Sequence, residues 1–132
     1  MNNEIEKKFI KQFIIKNKRD RLLFELSSIK RQTGIGRFCH SADDYLIKDK
    51  IKLSGNKLYY DEIVKIAEKY SPSKQWYIIA YNPTLDKKIC QLSEALSLVL
   101  GNGMAAIIVA DNMAIVETEQ CMGTPMRYVL VC

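Results

Sequence analysis

The chain has 132 residues, 48% of them hydrophobic and 27% charged, with a formal net charge of +5. That length suits one domain burying roughly two-thirds of the surface it exposes when unfolded, and the composition excludes the low-hydrophobicity, high-charge signature of disorder. The charged start Met1–Lys8 is unlike a secretory leader and no apolar run has the length of a membrane span, so the expectation is one cytoplasmic domain over 1–132 that does not contact membrane.

Charge is unevenly spread. Residues 1–57 hold 14 Lys/Arg against 7 Asp/Glu, whereas residues 58–132 hold 6 against 8. A cationic first half fits an acidic partner, either nucleic acid or an acidic protein face; it equally fits a solvated, lysine-rich surface.

Ile5, Phe9, Ile10, Phe13 and Ile14 recur at helical spacing, which predicts an amphipathic helix over 4–16. Leu22, Leu23, Leu26 and Ile29 share a face of a second helix ending near Lys30, and together the two form an αα-hairpin. Gly34 and Gly36 interrupt the pattern, so residues 33–40 read as a loop, and Ser41-Ala42-Asp43-Asp44 as the capped, acidic start of a short helix. Ser54-Gly55-Asn56 marks a turn. Asp61 then opens a helix turning Ile63, Ile66, Ala67 and Tyr70 inward, ended at Ser71-Pro72-Ser73.

Beyond Pro72 the period changes. Trp76–Tyr81 is a short run rich in aromatic and β-branched residues, the pattern of a central strand apolar on both faces. A helix starts at Ser93 with Leu96, Val99 and Leu100 on one face, and Gly101-Asn102-Gly103 stops it. Ala105–Val109 and Ala114–Thr118 are strands joined by Asp111-Asn112, a spacing for a tight hairpin, and Gly123-Thr124-Pro125 turns into a last strand, Arg127–Val131. The fold class expected is α+β: a helical N-terminal half packed on a mixed sheet of about four strands, ordered β-α-β-β-β, around one shared interior. A right-handed crossover would make the first two strands parallel.

No segment carries a catalytic or cofactor signature, and no cofactor or metal is expected. Cys39, Cys90, Cys121 and Cys132 are too widely spaced for a metal knuckle and read as reduced, buried small hydrophobes. The densest polar constellation is 33–44, where Arg37, His40, Asp43 and Asp44 stand beside two glycines and Cys39. Backbone N–H groups and the Arg37 fork could receive an anion there, but a glycine pair without a preceding strand matches neither phosphate-binding fingerprint. His40 could serve as a base only with a nucleophile in reach, Cys90 or Cys121 before its neighbour Cys39. Glu117 and Glu119 lie two apart on one strand face, spaced for a cation or an acid–base pair, or for a charged edge that deters strand pairing.

Three readings follow. The first is a non-enzymatic protein-binding protein, of the inhibitor or immunity type that neutralises a toxin or enzyme, which rests on the small size and two charge zones. The second is a nucleic-acid-binding protein using the basic N-terminal half; Phe9, Phe13 and Phe24, assigned to the core, would leave only cations for it. The third is a small enzyme using the 33–44 loop.

Overall fold

The computed structural model describes residues 2–55, 60–101, 104–118 and 126–132, with side chains from Glu4 onward. Four helices come first: α1 (Asn2–Phe13), α2 (Lys16–Leu26), α3 (Arg31–His40) and the single turn α4 (Ala42–Tyr45). A tight turn at Lys48–Lys50 leads into β1 (Ile51–Gly55), followed by α5 (Tyr60–Tyr70), β2 (Trp76–Ala80), β3 (Ile89–Cys90), α6 (Leu92–Val99), β4 (Ala106–Ala110), β5 (Met113–Glu117) and β6 (Arg127–Val131). The strands form one sheet in the order β1-β6-β5-β4-β2-β3.

The α+β class with a helical first half is what the chain adopts. The sheet has six strands, not four, and every pairing is antiparallel, so it is not mixed. The crossover rule did not apply because the chain reverses at β3 before α6 carries it back, and β4 therefore runs opposite to β2. β1 escaped the sequence because an edge strand reading Ile-Lys-Leu-Ser-Gly, mostly exposed, has no buried alternation to show. β2 is second from the edge, flanked by the two-residue β3, and β4 and β5 occupy the centre.

Alternation along each strand sends apolar groups to both faces. Tyr77, Ile79, Ile107, Val109, Ala114, Val116, Tyr128 and Leu130 meet α1–α4, while Trp76, Ile78, Ile108, Met113, Ile115 and Val129 meet α5 and α6. The expected single interior is thus two apolar layers divided by a common sheet. The reason is positional: α5 packs on the opposite face from the helices that precede it, so the N-terminal half does not act as one layer.

On the first face, Phe9 and Phe38 meet edge to face at 6.0 Å between ring centroids, and Phe38 meets Tyr45 likewise at 5.4 Å, which locks α1, α3 and α4 together. Two backbone bonds, Ile15 N–H to Tyr45 O and Ile47 N–H to Phe13 O, fasten the end of α1 to the end of α4.

The segment expected to be a loop is α3. Its buried residues Arg31, Gly34, Ile35, Phe38 and Cys39 recur at helical spacing, a pattern hidden by the two glycines. Gly34 serves close approach, not a turn: a Cβ there would lie 2.7 Å from Glu25 Cβ on α2. Ser41 holds the N-cap position of α4 but makes no side-chain cap bond. Past α6, Gly101 has φ +79°, the left-handed stop expected for it. The Asp111-Asn112 hairpin is as expected, with Asp111 at φ +47°. The turn expected at Gly123-Thr124-Pro125 lies outside the described residues, as does Asn56.

Candidate functional site

The strongest electrostatic feature is one the sequence did not disclose. Arg31, at the start of α3, is buried and uses all five of its guanidinium N–H donors. Nη1 and Nη2 donate to Glu6 at 2.8 and 2.5 Å, Nε and Nη2 to Asp86 at 2.6 and 3.0 Å, and Nη1 also to Leu26 O at 2.8 Å. The Tyr77 hydroxyl donates to Glu6 at 2.6 Å, and Asp86 accepts the Ala80 N–H at 3.0 Å. Burial and the neighbouring Glu6 carboxylate both raise the Tyr77 pKa, keeping the phenol protonated as a donor. The two carboxylates hold Arg31 charged, above its ordinary value in spite of burial. With every donor spent internally, this network ties α1, α3 and the β2–β3 loop together. It is a structural clamp whose guanidinium has no donor left for a substrate.

The six residues singled out from the sequence are not gathered into one place. Arg37 is turned toward α2, where it pairs with buried Glu25. Glu117 is fully buried on β5, with Arg127 Nε donating to it at 2.5 Å from the facing position of β6 and Gly101 N–H at 2.8 Å. It is neither an open carboxylate nor part of a charged edge, because β5 is interior to the sheet. Glu119 lies outside the described residues, and so does Cys121.

His40, Asp43 and Asp44 do come together. They line an open surface concavity of about 490 Å³ with Thr118, Met126 and Tyr128, at the junction of α3, α4 and the β5 and β6 ends. His40 is exposed; Cys39 borders the same hollow but is only 1% exposed. Tyr128 donates to Asp43 at 3.0 Å, and Lys48 lies 3.6 Å from the same carboxylate. Burial and this bond push the Tyr128 pKa up to about 12, so its hydroxyl donates and is no base near neutrality. Cys90 is not in the lining. Among the described residues, no three His, Cys, Asp or Glu side chains could hold a metal ion.

The surface of the α1–α4 layer holds a second feature. Residues 4–50 contain twelve Lys/Arg and seven Asp/Glu. Folding buries Arg31, Glu6 and Glu25, so eleven cations against five carboxylates remain outside the interior. Against this cationic ground, Phe24 is 63% exposed and Ile29 fully exposed, around the corner between α2 and α3. Both had been assigned to an inward stripe. The register of α2 instead turns Leu22 and Leu26 inward, and the helix ends before Ile29.

No described helix is long and apolar enough to cross a membrane. Compared with known proteins, the chain matches no family model, no curated protein and no solved structure.

Proposed function

We propose that the chain is a non-enzymatic protein-binding protein, of the inhibitor or immunity type, acting in the cytoplasm through its α2–α3 corner on a partner with an acidic surface. The reading rests on this surface and not on the interior, which the sheet divides into two apolar layers. The observation that carries the reading is the exposed pair Phe24 and Ile29, close in sequence to the exposed cations Arg21 and Lys30. Protein interfaces concentrate their energy in such apolar anchors within a polar, charged rim. Ile29 has no use in stacking on a base, which favours a protein partner over nucleic acid.

The test is a pull-down from extract of the source cell with the purified chain, wild type against a Phe24→Ala/Ile29→Ala variant, followed by titration of any captured polypeptide. Association that the double substitution weakens by about 2 kcal/mol or more, the level of an interface hot spot, supports the reading. No association, or equal association by both proteins, overturns it.

Nucleic-acid binding keeps a claim through one observation: Phe24 is not in the core, so an aromatic face is available amid cations. Affinity for RNA or DNA that falls steeply between two salt concentrations would establish it. For the enzyme reading, His40 stands beside a real hollow, but the Asp43 there is already bonded to Tyr128 and the adjoining thiol is buried.

A further inference from the structure

We propose that the junction of the β1 edge with the end of α5 is a binding site for a phosphomonoester, held by Lys52, Lys69 and Tyr70. This does not depend on the protein-binding reading, which concerns the other side of the sheet: α5 packs on the face opposite α1–α4.

Lys52 stands on the edge strand β1 and Lys69 in the last turn of α5. The register of β1 places the first of them. Ile51 faces Leu130 and Leu53 faces Val129, so β1 advances two residues where β6 advances one, and Lys52 is the extra residue of a bulge. Bulges re-aim side chains, and here the Lys52 ammonium lies 5.1 Å from the centroid of the Tyr70 ring. The Lys69 ammonium reaches the same ring at 5.3 Å. Both ammonium groups, Lys52 foremost through its approach to the hydroxyl, lower the Tyr70 pKa. The two lysines are exposed and Tyr70 is half-buried, so all three are open to a ligand.

A single lysine on a tyrosine ring is an ordinary cation–π pair. Two on one ring bring like charges together, and among the described residues neither has an ion-pair partner, although Glu68 adjoins Lys69 in the chain. A phosphomonoester carries close to two negative charges and three terminal oxygens. It can place one oxygen on each ammonium and accept the phenol O–H on the third, neutralising both cations through charge-assisted bonds. A carboxylate or a phosphodiester, each a monoanion, leaves one cation uncompensated. Because the site is open, it grips the phosphate and leaves the rest of the ligand in solvent. A soluble phosphomonoester and a phosphatidic acid headgroup therefore present it with the same chemistry.

The test is a titration of the full chain with inorganic phosphate at neutral pH, followed by the amide NMR shifts of Lys52, Lys69 and Tyr70, with sodium chloride at matched ionic strength as the control. The same titration is run on Lys52→Gln/Lys69→Gln and on Tyr70→Phe, which keeps the ring. A saturable shift with phosphate and not with chloride is expected, weakened about tenfold in the double variant and about threefold in Tyr70→Phe. Co-sedimentation with phosphatidylcholine vesicles containing phosphatidic acid, lost in the double variant, would assign the ligand to a membrane; phosphate binding without co-sedimentation would assign it to a soluble phosphomonoester. A phosphate response no larger than that to chloride, or one undiminished in either variant, overturns the proposal.

Discussion

Replacing Arg31 by methionine tests whether the Glu6–Arg31–Asp86 cluster holds the first helical layer to the sheet. The substitution keeps side-chain bulk but strands two carboxylates whose side chains are only 5% and 8% exposed. Breaking a buried pair in this way costs about 3–5 kcal/mol, a large share of the roughly 5–15 kcal/mol that holds a domain folded. For a chain of this size each kcal/mol moves the thermal midpoint by about 3–4 °C, so a fall of about 10–20 °C is expected. The control is the triple variant Glu6→Gln/Arg31→Met/Asp86→Asn, which removes all three charges. If the penalty is mainly stranded charge, the triple variant recovers stability relative to Arg31→Met alone, as measured by thermal and urea unfolding. A single substitution costing under about 1 kcal/mol, or a triple variant no better than the single one, would refute the assignment of the cluster as the clamp.

Two glycines in one helix should answer substitution with opposite signs. In Gly34→Ala the new Cβ meets Glu25 Cβ at 2.7 Å, and overpacking of about 1–3 kcal/mol outweighs a helix-propensity gain of about 1 kcal/mol; in Gly36→Ala the nearest atoms are Tyr81 ring carbons at 3.6 Å, so the gain stands and urea unfolding shifts upward. At high pH the raised Tyr128 pKa gives a signed expectation: the stability it contributes is complete below the unfolded tyrosine value of about 10 and is lost as pH rises through about 12. Tyr128→Phe should therefore flatten the alkaline decline of the unfolding free energy, and an unchanged slope would contradict the Asp43 bond. His40→Ala should leave the thermal midpoint unmoved, because the His40 side chain is exposed at the end of α3; a marked loss of stability would show that it is tied down.

Local periodicity accounts for most of what was legible in the residues. α1, α5 and α6 bury stripes at helical spacing, and β2, β4, β5 and β6 are short apolar runs bounded by turn residues, so type and position could be read without knowing any partner. The Asp111-Asn112 reversal and the Gly101 stop were equally local. α3 was misread because glycine has two uses that look alike in a sequence: freedom to turn, and room for a neighbouring helix. Only the approach of Glu25 on α2 shows that Gly34 has the second use.

The candidate site was less legible than the fold, since its residues are joined across long stretches of chain. Arg31 meets Glu6 from 25 positions away and Asp86 from 55, and before folding each looks like an ordinary surface charge. The same holds for Glu117, whose place beside Arg127 depends on strand register, and for Phe24, whose exposure depends on which face of α2 meets the sheet. Helix, strand and turn follow from interactions among near neighbours, which the order of residues by itself specifies. Burial of a charge, exposure of an aromatic ring and the division of the interior by the sheet follow from contacts between distant segments, and those are decided only when the layers assemble.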